Sequence, residues 1–371
     1  TLAYIPALHL KYKLLPLLKG EIILNEIIID KPFIYVEQMA DSTWNLQHIM
    51  KPSETVEPDT VSSTFNMLVQ LEGLQLNEGN VRIKSFNPQI PDFVSNLNID
   101  VSGKYRTNEQ QFNLKKLNLT AINPNLEIKN LKLEAEADTS FISMISLVLE
   151  TAQNKLTAYG EYYLHNQGKS HIQLVTDSIR FEEFRAFLPD SLNLQVTPVL
   201  TLNAELQNDN LSANMHLKEN NQGVELTLLA NRLLEYLADS TALVNYDMNL
   251  AIIGVNLRHW LNDPAMQYII NGKLAAKGDG FDPETLKANV QGDFGNLLIY
   301  GNAIQRLTLL LDYNAGDVSG LLNGSSGFGQ IHCQPGLKRI LMDIPSYLLN
   351  GQSRKLNIAA VTRQKESARA I

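Results

Sequence analysis

Seven histidines are the first residues to test for chemistry: His9, His48, His165, His171, His216, His259 and His332. A zinc-binding helix needs two of them four residues apart on one face, and no pair has that spacing. Surface or interface roles are the plainer reading for each. Lys277-Gly278-Asp279-Gly280-Phe281-Asp282 brings two carboxylates close together. It lacks the later glutamate and the further oxygens of a calcium loop, so it reads as a hairpin turn. Gly324-Ser325-Ser326-Gly327-Phe328-Gly329 is glycine-rich, but it has no lysine and no strand-to-helix setting for a phosphate. A turn is the better reading there too. No serine sits in a glycine elbow. Glu182-Glu183 reads as solvated charge, and Trp44 and Trp260, each beside a polar turn, read as packing residues. Asn118-Leu119-Thr120 and Asn323-Gly324-Ser325 match a glycosylation triplet that is frequent by chance. A dispersed catalytic triad would leave no local mark, so these absences remove the positive case for an enzyme without excluding one. The expectation is a protein that is not an enzyme and that uses no metal and no cofactor.

The patterned residues are apolar. Ile22, Leu24, Ile27, Ile29, Ile34 and Val36 recur 47 positions later as Val69, Leu71, Leu74, Leu76, Val81 and Ile83. The residues between change character: Ile23, Ile28, Phe33 and Tyr35 become Gln70, Gln75, Asn80 and Arg82. Alternate residues of a strand point to opposite faces, so this is one dry face and one face free to be wet. A third copy runs through Phe112, Leu114, Leu117 and Leu119, then Leu126 and Ile128 after two extra residues. Leu131 and Leu133 continue it, alternating with Lys132 and Glu134. These twenty residues are the candidate lining of an apolar groove.

Residues 20–38 read as a hairpin-like strand pair, followed by a turn at Asp41-Ser42-Thr43-Trp44-Asn45-Leu46. Residues 51–63, with Pro52 and Pro58, read as a loop. From 65 to 138 the pattern is almost all strand, with turn residues every 8–12 positions. Residues 141–153 fit either a helical face or a strand. A short helix is expected over 181–188, stopped by Pro189, and Leu257-Arg258-His259-Trp260-Leu261 echoes it. Further strands are expected at 199–206, 268–276, 286–294 and 297–313. After residue 327 the alternation fades. The domains expected are therefore 1–64 (strand pair and linker), 65–330 (repetitive β-groove) and 331–371 (a basic, poorly patterned segment). The fold class is mainly β: an elongated, curled, open sheet of amphipathic strands with a few short helices. At one strand per ~12 residues it would hold on the order of 27 strands.

The composition narrows the partners. A 44% hydrophobic content suits a folded chain. The net charge of −8 argues against nucleic acid. Residues 331–371 carry +5 of it and the first 330 carry −13. The single cysteine, Cys333, allows no internal disulfide and no cysteine metal cluster. No run reaches the roughly 18 apolar residues of a membrane-spanning helix. Lys11, Lys13, Pro16 and Lys19 interrupt the apolar opening, and there is no signal peptide. The chain starts at Thr1, so any membrane anchor on the natural N-terminus is expected to be missing.

The stretch Leu15-Pro16-Leu17-Leu18-Lys19-Gly20-Glu21-Ile22, the segment Ile27-Ile28-Ile29-Asp30-Lys31-Pro32-Phe33-Ile34 and the turn 41–46 resemble the N-terminal region of AsmA/TamB-like proteins. Leu17, Leu18, Gly20, Pro32, Trp44, Asn45 and Leu46 occupy that region's motif. Gly254-Val255-Asn256-Leu257, Leu261, Pro264, Ile270-Asn271-Gly272-Lys273-Leu274 and Gly278-Asp279-Gly280-Phe281-Asp282 resemble the family's repeats, so the likeness covers about residues 10–330. It implies a Gram-negative envelope protein, tethered to the inner membrane and reaching across the periplasm, with an apolar groove for phospholipid acyl chains. It also implies an outer-membrane β-barrel partner, reached through a C-terminal region missing here, and a role in outer-membrane protein assembly. The function expected is phospholipid transport toward the outer membrane. The alternatives are an assembly factor acting through exposed strand edges and a structural β-repeat such as an adhesin. The same pattern would also suit a closed sandwich or solenoid filled by its own side chains.

Overall fold

The computed structural model describes residues 2–47, 67–164, 168–189, 192–239, 241–282, 284–299, 302–327, 329–338 and 346–354. The expected loop at 51–63, His48 and His165 lie outside them. Strands hold 68% of the chain and helices 7%, so the fold is mainly β as the alternation predicts. The chain divides into two compact units, Thr1–Ser191 and Leu192–Ile371. Each is an open, curled sheet that does not close into a barrel.

The first unit begins with β1 (Ala3–Tyr4), β2 (Ala7–Lys13), β3 (Glu21–Asp30) and β4 (Phe33–Glu37). It continues with β5 (Leu68–Lys84), β6 (Phe93–Arg106), β7 (Glu109–Ile122), β8 (Leu126–Ala137), β9 (Phe141–Thr151), β10 (Lys155–Tyr163) and β11 (Ser170–Ser178). From β5 to β11 each strand pairs antiparallel with the next. The ambiguous 141–153 stretch is thus strand, because β8 and β10 flank it and take its backbone hydrogen bonds. The pair expected over 20–38 is not a hairpin. β3 and β4 follow one another along β5, and both run parallel to it. β2 and β1 then pair antiparallel with β3 and β4. The turn at 41–46 folds back on β4: Asn45 donates from Nδ2 to the Tyr35 carbonyl (3.0 Å), and its Oδ1 accepts from the Glu37 amide (3.0 Å).

The parallel pairing explains the 47-residue repeat. Ile22 lies opposite Val69, Leu24 opposite Leu71, Ile27 opposite Leu74, Ile29 opposite Leu76, Ile34 opposite Val81 and Val36 opposite Ile83. Side-chain bonds keep the same offset. Asn25 donates to Glu72 (2.6 Å), Asn77 to Asp30 (2.8 Å), Lys84 to Glu37 (2.7 Å) and Ser85 to Gln38 (3.1 Å).

The second unit comprises β12 (Val199–Gln207), β13 (Asn210–Glu219), β14 (Gln222–Asn231), β15 (Asn245–Asn256) and β16 (Tyr268–Asp279). They are followed by β17 (Lys287–Ile299), β18 (Asn302–Asn314), β19 (Asp317–Ser326), β20 (Gly329–Lys338) and β21 (Ser346–Arg354). All pair antiparallel in chain order. Two-residue turns join β12 to β13 and β18 to β19. Asn208 and Asp209 at the first, and Ala315 and Gly316 at the second, all have positive φ, as a type I′ hairpin requires. The short helices expected from the sequence are present, a 3₁₀ turn at Phe181–Phe187 and a helix at Leu257–Trp260, and a further one, α1, covers Leu233–Ala238. The Leu257–Trp260 turn is α2 below. Trp260 is buried there and donates from Nε1 to Gln222 Oε1 (3.0 Å).

Three further expectations need correction. The segment 331–371 is not unpatterned, because β20 and β21 pair within it along eight residues. The ladder also crosses the expected boundaries: β4 pairs with β5 across 64/65, and β20 itself spans 330/331. The strands are longer than assumed, up to 17 residues in β5, so the described residues hold 21 of them rather than about 27.

Candidate functional site: an apolar sheet face

Residues opposite one another on neighbouring strands share a face, so the register places every candidate. In the first unit three rows cross the strands from β2 to β11. One is Leu10, Ile27, Leu74, Val101, Leu114, Leu133, Leu147, Ala158 and Leu174. The next is Leu8, Ile29, Leu76, Ile99, Leu117, Leu131, Leu149 and Leu156, ending at Thr176. The third is Tyr12, Leu24, Leu71, Gly103, Phe112, Ala135, Met144, Gly160 and Ile172. Shorter rows flank them. Ile34, Val81, Val94, Ala121 and Leu126 form one, Leu119 faces Ile128, and Ile22 with Val69 and Val36 with Ile83 lie at the ends. All twenty sequence candidates therefore lie in this one ladder.

Strict alternation alone would not achieve this. The steps from Leu24 to Ile27, Leu71 to Leu74 and Leu114 to Leu117 are odd, and an odd step moves a side chain to the other face. At each step the register shifts by a bulge, which restores the face. β9 has the same shift between Met144 and Ser146. Bulges in β3, β5, β7 and β9 also bend and twist the sheet, which gives the curl a local cause.

The lining is only partly covered. Of the twenty candidates Leu114 alone is buried, at 8% exposure; Phe112 is 45% exposed and the rest lie between. A sandwich core would bury most of such a set, since large aliphatic residues inside proteins are commonly fully buried. The opposite face is polar. Gln75, Asp100 and Lys116 form one of its rows, and Gln70, Lys104, Gln111 and Glu136 another. Lys104 there pairs with Glu109 at 2.7 Å.

The second unit has the same design, which the sequence reading did not name residue by residue. Leu202, Met215, Leu226, Leu250, Leu274, Gly292, Leu309 and Leu322 form a row. Ala204, Ala213, Leu228, Met248, Ala276, Val290 and Leu311 form the next. Their alternation was the available signal. Interior glycines are roofed by large neighbours: a Cβ on Gly272 would lie 2.5 Å from the Phe294 ring and 2.7 Å from the Asp293 carbonyl. The other face carries ion pairs. Arg306 grips Asp293 with two bonds (3.0 and 2.8 Å), which hold the Asp293 carboxyl below the usual carboxylate range.

The residues tested first for chemistry do not assemble. His216 stands 3.7 Å from Glu225, and His332 contacts Asn323 through Nδ1 (2.5 Å). Asp282 caps its own turn by accepting from the Glu284 amide (2.9 Å). Glu183 binds the β9–β10 turn, accepting from the Ala152 amide (2.8 Å) and the Thr151 hydroxyl (2.5 Å). Among the described residues no three His, Cys, Asp or Glu side chains could hold a metal ion, and no helix is long and apolar enough to cross a membrane. Fold and face together define an open amphipathic β-sheet protein. Comparison with family models, with curated proteins and with solved structures finds no match.

Proposed function

We propose that the apolar face is a conduit for phospholipid acyl chains, in an inner-membrane-tethered protein of the Gram-negative periplasm that serves lipid transport toward the outer membrane. One observation carries the reading: continuous apolar rows that cross nine strands while staying partly exposed. Successive residues of a row sit on neighbouring strands roughly 4.8 Å apart, so an extended tail lying along a row meets an aliphatic side chain at nearly every step. Burial at ~25 cal/mol per Å² holds a tail anywhere on such a face and deeply nowhere. The head group stays in water beyond the sheet. No step of this function makes or breaks a covalent bond, so the reading is of a carrier rather than an enzyme. Purified protein should carry phospholipid in native mass spectrometry and speed its transfer between vesicles. Protein that is lipid-free in both assays would overturn the proposal.

A second reading has its own observation. β2 is paired on one side only, with β3, among the described residues, and it offers its other edge to an incoming strand. An assembly factor for outer-membrane proteins would add client strands there. Photo-crosslinkers separate the two. Adducts from Leu117 to lipid favour the conduit, and adducts from His9 to unfolded barrel protein favour the assembly factor.

A further inference from the structure

Among the described residues the two most exposed apolar side chains, Leu18 and Leu15, lie outside the sheet, on the 3₁₀ turn Leu15–Lys19 that joins β2 to β3. Leu18 is 86% exposed, Leu15 79%, Leu14 65% and Leu17 46%. The turn is closed by the Leu17 amide bonding to the Leu14 carbonyl (3.1 Å) and by Gly20 at φ 72°, whose amide bonds to the Leu17 carbonyl (3.1 Å). Gly20 suits this cap because it adopts the left-handed region without a Cβ penalty.

In a 3₁₀ helix residues three apart eclipse one another. Leu15 therefore stands over Leu18, and Leu14 over Leu17, on two of the three sides. Pro16 and Lys19 take the third. A protein groove accepts one face of a turn, because its other sides stay in water. Hydrocarbon accepts all of them, and leucines on two sides of a single turn suit a solvent rather than a groove. The charges agree. Lys11, Lys13 and Lys19 are the only charged residues between positions 2 and 20, with no carboxylate among them. Lys11 bonds Glu26 on the adjacent strand β3, and Lys13 bonds Glu72 on β5, the strand beyond it, yet both lysines remain substantially exposed. Long basic side chains can lay their stems on an apolar surface and keep the ammonium at the head-group level.

We infer that this turn is a membrane-insertion wedge: Leu14, Leu15, Leu17 and Leu18 enter the acyl region of a lipid bilayer, and Lys19 stays among the head groups. The inference stands independently of the conduit, since a protein can rest on a bilayer without carrying lipid in its sheet. Full burial of one leucine changes a partition constant by about tenfold or more.

The test is co-sedimentation of the full chain with vesicles of phosphatidylcholine and phosphatidylglycerol, 3:1. The unsubstituted chain should bind. Leu15→Asp with Leu18→Asp should lower the partition constant at least ~10-fold. Leu237→Asp, on a leucine of α1 nearly as bare (71% exposed), should leave it unchanged. Matching circular dichroism spectra would show that all three proteins fold alike. No binding by the unsubstituted chain, binding unaffected by the double substitution, or equal loss in the Leu237 variant would each overturn the inference. So would a dimer that the double substitution dissolves, because a second copy would then be the occupant. Lipid carried in native mass spectra is read separately, so failure here leaves the conduit standing.

Discussion

At the scale of single residues, side chains first considered for chemistry hold the structure around them together. Asp282 caps a turn, Glu183 ties a helix to a hairpin and Trp260 is pinned by Gln222. Glu183→Ala removes the acceptor for the Ala152 and Gln153 amides and should cost about 1–2 kcal/mol of stability, read by urea unfolding. An unchanged midpoint would show that water replaces the carboxylate without loss. Tyr246 gives a pH test. Burial, then the nearby Asp279 carboxylate, raises its phenol above the ordinary value of 10.0. A raised acid favours the neutral form in the folded state. Its contribution is complete below pH 10 and is lost as pH rises through the folded value. Melting temperature should fall above pH 10 more steeply in the native chain than in Tyr246→Phe. Parallel curves would mean the phenol titrates alike folded and unfolded.

At the scale of elements, the dry face was legible in the sequence and the pairing was not. Ile22 and Val69 are equivalent in any repeat, and equivalence of position carries no direction. Two successive hairpins and one parallel register produce the same offset. The odd steps at Leu24, Leu71 and Leu114 were visible as spacing, but a bulge is a property of two strands, so one strand's residues cannot reveal it. Strand β21 was missed because Tyr347-Leu348-Leu349 is an unbroken apolar run, which strands and helices share. The parallel register predicts a crosslink. With Cys333→Ser as background, Asn25→Cys and Glu72→Cys replace two side chains that bond each other (2.6 Å) across parallel strands roughly 4.8 Å apart, within disulfide reach. Oxidation should join them. Asn25→Cys with Leu76→Cys, four residues further along β5, should stay reduced. The reverse result would move the register. Gly272→Ala tests the roofed glycines: with backbone carbonyl and Phe294 both in the way, it should destabilise by about 1–3 kcal/mol.

At the scale of the whole molecule, the conduit reading makes a demand that no single residue meets. A face that holds tails weakly everywhere should lose little from one leucine and more from a break across a whole row. Leu74→Asp, Leu114→Asp and Leu133→Asp fall on β5, β7 and β8 in the row that runs from β2 to β11, with Val101 of β6 between the first two. Together they place three carboxylates across the path, and a buried carboxylate costs several kcal/mol unless paired. Leu114 is also the most covered of the three, so Leu74→Asp alone, on a partly exposed side chain, separates blockage from unfolding. The matched control changes the wet face at Gln75, Lys116 and Glu134 to aspartate. With folded spectra in hand, lipid carried per chain should fall sharply in the triple lining variant, slightly in Leu74→Asp and not at all in the wet-face control. Equal lipid in all three would place any bound lipid somewhere other than the apolar rows and would return those rows to a structural role.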